Sequence, residues 1–138
     1  MKKADRRKLA VMVLAGARKR IEGPRKWIRR AEIRAGIGST TIQDAKDRGL
    51  LPGPNEPDLD GAFCAYGAIA YEAYRRGAPK EVVDEAVEML VDAIKERPGP
   101  AVKTLPAGDR TSIFVFNDAY ATGKKDVLDV FDKAIEAE

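Results

Sequence analysis

Glycine and proline cut this chain into short pieces, and that punctuation limits what it can fold into. Gly23-Pro24, the Leu51–Asp60 stretch, Gly77 with Pro79, and Pro98-Gly99-Pro100 each halt a helix. Between these stops the apolar residues recur with a helical period. Leu9, Val13, Ala17 and Ile21, with Ala10 and Leu14 beside them, form one stripe on a helix expected over Ala4–Glu22, and Arg7, Lys8, Arg18, Lys19 and Arg20 cover its opposite side. A second helix is expected over Pro24–Ala35, with proline in a permitted first-turn position. Gly36-Ile37-Gly38 then turns the chain, and Ser39 or Thr40 caps a short helix that ends at Arg48-Gly49. Further helices are expected over Gly61–Arg76 (capped by Asp60), Pro79–Arg97 and Gly123–Glu136, the last capped by Thr122. Residues 101–112 read as loop, and Ile113–Phe116 is too short an apolar run to assign to helix or strand.

The fold class expected is therefore all-α, a compact single-domain bundle of five to seven helices. At 138 residues the chain is one domain's worth of sequence, large enough to bury a core without disulfides. It divides into a basic half (1–50), a proline-rich connector (51–60) and an acidic half (61–138). Neither half looks self-sufficient, so one cooperative core containing Trp27, Phe63, Tyr71, Val87, Leu90 and Phe131 is expected across the whole domain.

Charge separates the two halves sharply. Residues 1–50 hold 15 of the 25 Lys and Arg against 5 acids, and residues 51–138 hold the other 10 against 17 acids. Either the basic half meets a polyanion, or the two halves pack against each other and satisfy their charges internally. Histidine is absent, which removes Ser-His-Asp and Cys-His nucleophile pairs, HExxH zinc sites and imidazole acid–base chemistry. A single cysteine, Cys64, cannot form an internal disulfide, and no apolar run approaches a membrane span or a signal peptide's core. A cytoplasmic setting with no membrane partner is the expectation.

Residues 36–52, GIGSTTIQDAKDRGLLP, resemble the DNA-binding helix-turn-helix of the mercury-resistance-regulator and excisionase type. Gly36, Ile37, Ser39, Thr41, Ile42, Gly49, Leu50, Leu51 and Pro52 stand at that motif's spacings. The resemblance implies that Thr40, Gln43 and Lys46 face a groove while Arg25, Lys26, Arg29, Arg30 and Arg34 hold phosphates. A polar helical hairpin with a glycine turn is the alternative for the same residues.

A second pattern covers about 110 residues: Trp27 in a basic helix, Phe63-Cys64-Ala65-Tyr66-Gly67-Ala68-Ile69, then Ile113-Phe114-Val115-Phe116-Asn117-Asp118-Ala119, then Asp126-Val127-Leu128 with Ala134 in a terminal helix. It resembles a family of small uncharacterised proteins of actinobacteria and their phages, in which a tryptophan commonly stands where this chain has Phe116. That resemblance implies a compact helical domain and no assigned activity.

Cys64, without a histidine, reads as a small packing residue beside Gly67 rather than a nucleophile. Asn117-Asp118 is too sparse for a cation site and reads as the end of one element and the cap of the next. Tyr66, Tyr71 and Tyr74 with Phe63 read as core. No catalytic residue, metal or cofactor is expected. The functional expectation is a non-enzymatic accessory or regulatory protein that binds nucleic acid through Lys26, Arg29, Arg30, Arg34, Thr40, Gln43 and Lys46. A protein-binding adaptor or inhibitor that meets an acidic surface is the alternative.

Overall fold

A computed structural model describes residues 1–36, 38–97 and 109–137. In chain order these form α1 (Lys3–Glu22), β1 (Ile33–Ala35), β2 (Gly38–Thr40), α2 (Ile42–Asp47), β3 (Ala62–Phe63), α3 (Ala65–Arg76), α4 (Lys80–Lys95), α5 (Arg110–Val115) and α6 (Lys124–Glu136). A π-helical turn at Phe116–Tyr120 continues α5 directly. The chain is mostly helical, but the expectation of a purely α fold needs correcting: a three-stranded antiparallel sheet, ordered β2-β1-β3, sits beside the helices.

Helix α1 is the central element, packed against α3, α4 and α6. Its stripe of Ala10, Val13, Leu14, Ala17 and Ile21 is buried, and the two alanines let neighbouring helices approach closely. Each of the larger side chains in that stripe stabilises the fold by about 1.5–3 kcal/mol through removal from water. Helix α3 ends at Gly77 in the left-handed conformation (φ 64°), where the Ala78 N–H reaches back to the Ala73 carbonyl at 2.9 Å. Glycine takes that conformation without Cβ strain, so the chain turns sharply and α4 begins at once. One hydrophobic cluster contains Phe63, Tyr71, Val87, Leu90 and Phe131, with Trp27 packed half-buried against it.

The helix expected over Pro24–Ala35 does not form. Arg25 and Arg30 take left-handed backbone angles (φ 61° and 66°), which no helix accommodates, and Ile33–Ala35 is a strand. The cause is tertiary. Although Trp27 and Ala31 stand at i, i+4, the chain at 26–28 pairs with Phe63 instead: the Phe63 N–H donates to the Lys26 carbonyl (2.8 Å) and the Ile28 N–H to the Phe63 carbonyl (3.1 Å). The helix-turn-helix geometry is therefore lost on its first side, since strands β1 and β2 flank the glycine turn.

Smaller corrections follow the same logic. Thr41, rather than Ser39 or Thr40, caps α2 by accepting from the Asp44 N–H (3.0 Å). Helix α3 starts at Ala65 with Cys64 as its cap, because Ala62–Phe63 is taken by the sheet. Gly123 takes the cap position of α6, while Thr122 donates both its N–H and its hydroxyl to Asp126. Ile113–Phe116 is helical, passing from α5 into the π turn. Ile37, the Pro98-Gly99-Pro100 stop and residues 101–108 of the expected loop lie outside the described residues. No helix among the described residues is long and apolar enough to cross a membrane.

Candidate binding groove

Part of the charge asymmetry read from the sequence is satisfied inside the fold. Arg6 and Arg7 of α1 both reach Glu85 of α4 (3.0 and 3.1 Å), Arg18 reaches Asp132 of α6 (2.6 Å), and Arg20 reaches Glu72 of α3 (2.7 Å) and Asp58 (3.0 Å). Basic α1 thus lies against acidic partners from the other half on three sides. The Arg6 hydrogen bond, aided by the nearby Arg7 charge, holds the Glu85 carboxyl below its usual range although burial opposes it. Tyr71 donates its hydroxyl to Asp58 (2.8 Å), and burial pushes that phenol up to about 12.

The seven predicted binding residues divide into those held by the fold and those left facing solvent. Lys26 is ion-paired with Asp60. Arg29 donates to the backbone carbonyls of Ala121 (2.7 Å) and Asn117 (3.3 Å), with its guanidinium 4.7 Å from the Trp27 ring centre. These two cations serve the fold. Arg34 stands exposed on β1, and Lys46 stands exposed on α2. Arg30 is exposed, with its backbone N–H held by Asp118 (3.0 Å). The Thr40 hydroxyl donates to Asp44 (2.7 Å), and the Gln43 amide donates to Asp47 (2.8 Å).

Four of the seven line a groove with two lobes. The larger lobe, about 930 Å³, runs between α2, α3, α4 and the start of α5 and takes in Gln43 and Lys46. The smaller, about 320 Å³, takes in Arg30 and Thr40. Glu32, Thr41 and Phe114 line both, so the lobes adjoin. Alanines 70 and 73 of α3 and valines 83 and 87 of α4 form an apolar wall of the larger lobe. The rings of Tyr66 and Phe114 meet edge to face at 5.2 Å beside them, and the Arg110 guanidinium lies 5.9 Å from the Tyr66 ring centre.

This wall differs from what the sequence pattern predicts. Tyr66 and Tyr74, assigned to the core, are half-buried groove residues, whereas Tyr71 is fully buried. A signal was present: Tyr66, Ala70, Ala73 and Tyr74 form a second weakly polar face on α3 beside the buried face of Ala68, Ile69 and Glu72. A helix apolar on two sides either packs on both or lines a cleft.

Asn117 and Asp118 do more than bound helices. Asn117 is fully buried, and its side-chain oxygen accepts from the Trp27 indole N–H (2.7 Å) and the Ala65 N–H (3.0 Å). Its amide nitrogen donates to the Ile28 carbonyl (3.0 Å) and to Asp118 (2.9 Å). All four bonds hold the 27–28 segment, the start of α3 and the π turn in one place, beside the smaller lobe that Asp118 lines.

Cys64 is buried at the start of α3, where its sulfur accepts from the Gly67 N–H (3.3 Å). Burial raises its pKa to about 12 despite that bond, and Glu32 and Asp118 add to the rise, so the group is a thiol at neutral pH. Among the described residues, no group of three or more His, Cys, Asp or Glu is placed to hold a metal ion.

Residues 6–137 match the sequence profile of a family of unknown function. No curated protein and no solved structure shows significant similarity to the chain.

Proposed function

The chain belongs to that family, DUF6197, and from this premise we propose that the protein is a non-catalytic accessory protein that binds a segment of another protein in its two-lobed groove. One observation carries the reading: the groove joins an apolar wall to a rim of both charge signs. Arg30, Lys46 and Arg110 stand there with Glu32, Asp109 and Asp118. A surface for a polyanion carries one sign, whereas a surface for a polypeptide matches apolar and charged side chains of both signs. The pairing of α1 with acidic helices also supports it, since those arginines are not offered to a partner. A cytoplasmic setting in an actinobacterium or its phage, as the sequence pattern implies, belongs to the same proposal.

The test places a photo-crosslinking residue at position 74 inside the groove, or at position 129 outside it, in the native host. A protein crosslinked from 74 and not from 129, and lost when Ala70→Arg fills the groove of a protein with unchanged circular dichroism, supports the reading. Equal crosslinking from both positions, or indifference to Ala70→Arg, overturns it.

Nucleic-acid binding is the second reading, favoured by four cations. Arg25, Arg30, Arg34 and Lys46 are exposed, and no side-chain partner engages them among the described residues. A gel shift against mixed DNA and RNA at moderate salt tests it, because phosphate contacts lose affinity steeply as salt rises.

A further inference from the structure

Among the described residues, the small sheet has one covered edge and one open edge. On the β3 side the chain at 26–28 closes the edge, through the Lys26 carbonyl and the Ile28 N–H bonded to Phe63. On the β2 side, no described residue pairs with the outer edge of Gly38–Thr40, and Gly38 and Ser39 are exposed. The smaller lobe of the groove flanks this strand, lined by Ser39, Thr40 and Thr41 together with Phe114 and the charged residues Arg30, Glu32 and Asp118, two acids against one base.

The two carboxylates of that lobe are unusual in this protein. Glu72, Glu85, Asp58, Asp126 and Asp132 each carry an ion pair with Arg. Glu32 and Asp118 are half-buried, carry no ion pair among the described residues, and accept only from backbone N–H groups and the Asn117 amide. Both line the lobe with the Phe114 ring, and although the Arg110 charge also acts on Glu32, an apolar ring beside two carboxylates suits the stem and head of a basic side chain.

We infer that the groove takes an extended peptide segment that adds as a strand to β2 and places an Arg or Lys side chain in the smaller lobe, between Glu32 and Asp118 and against Phe114. The inference rests on the protein-binding reading and specifies its ligand. Main-chain hydrogen bonds to an edge supply affinity without sequence preference, and the adjacent pocket supplies specificity. A three-residue edge offers few such bonds, so the charged pocket carries most of the selection.

The test uses three blocked pentapeptides: Thr-Val-Arg-Val-Thr, the same peptide with Glu at its centre, and the Arg peptide N-methylated at both valines. Each is titrated to about 1 mM into the full-length 15N-labelled protein. The expected result is binding of the Arg peptide with amide shifts centred on Ser39, Thr40 and Thr41, and at least tenfold weaker binding of the other two. The double variant Glu32→Gln, Asp118→Asn keeps both acceptor oxygens, so its fold survives, and it weakens the Arg peptide about tenfold. No binding, equal binding of the Glu or N-methylated peptide, or shifts centred away from β2 overturns the inference. If position 74 still crosslinks a protein that Ala70→Arg releases while the peptides fail, the inference falls and the adaptor reading stands.

Discussion

The indole N–H of Trp27 donates to the side-chain oxygen of Asn117 at 2.7 Å, across 90 positions of sequence. The same oxygen accepts from Ala65, and the same side chain's nitrogen donates to Ile28 and Asp118, so one buried amide ties three segments together. A buried amide with its polar atoms paired is stabilising, and removing it leaves several buried partners unsatisfied.

Asn117→Ala is therefore expected to destabilise the protein by about 2–4 kcal/mol, more than most single substitutions. Urea titration measures the loss. Trp27 emission in the folded variant should shift to the red, because the indole loses its partner and gains water.

Gly67→Ala tests a steric requirement of a different kind. An added Cβ would lie 1.8 Å from the Glu32 carbonyl oxygen, which is backbone and cannot swing aside. The expected cost is about 3 kcal/mol or more, with loss of the Cys64 N–H to Glu32 carbonyl bond (3.2 Å). Gly36→Ala, where nothing lies within 4 Å of the added carbon, serves as the comparison and changes the thermal midpoint little.

Cys64 is expected to be unreactive in the native state. With a pKa of about 12 and a buried sulfur, it should react with iodoacetamide at neutral pH only as fast as the chain opens. Cys64→Ser keeps an acceptor for the Gly67 N–H and should change stability by no more than about 1–2 kcal/mol. Rapid native labelling contradicts this account.

Glu85 contributes to acid sensitivity with a defined sign. Its folded pKa is lowered below the ordinary 4.5 by Arg6 and Arg7, so its contribution is fully present above that ordinary value. It is lost as pH falls through the folded value. Glu85→Gln should make the protein less stable at neutral pH and flatten the fall in stability below about pH 4.5, as read by denaturant midpoints across pH.

Arg29 and Arg34 separate the structural cations from the solvent-facing ones. Arg29→Glu loses two carbonyl contacts and the Trp27 stack, and should cost about 2–3 kcal/mol. Arg34→Glu alters an exposed side chain with no partner among the described residues and should stay within about 0.5 kcal/mol. Any effect of Arg34→Glu on ligand binding then reads as a direct one.

Local sequence determined where helices form and stop. The stripe from Ala10 to Ile21, the left-handed Gly77 and the dipole-matched ends of α4 needed no partner to be legible, because helical period and capping are short-range physics. The charge imbalance between the halves was equally plain, but its destination was not. Only packing α1 between α3, α4 and α6 turned those arginines toward Glu85, Asp132 and Glu72. The 24–35 segment and the groove were decided by tertiary structure alone. That stretch is rich in good helix formers, yet Phe63, at a distance in sequence, set its backbone by pairing with residues 26–28. The groove arises where α2, α3, α4 and α5 fail to close over one another, and a space between elements has no signature within any one of them.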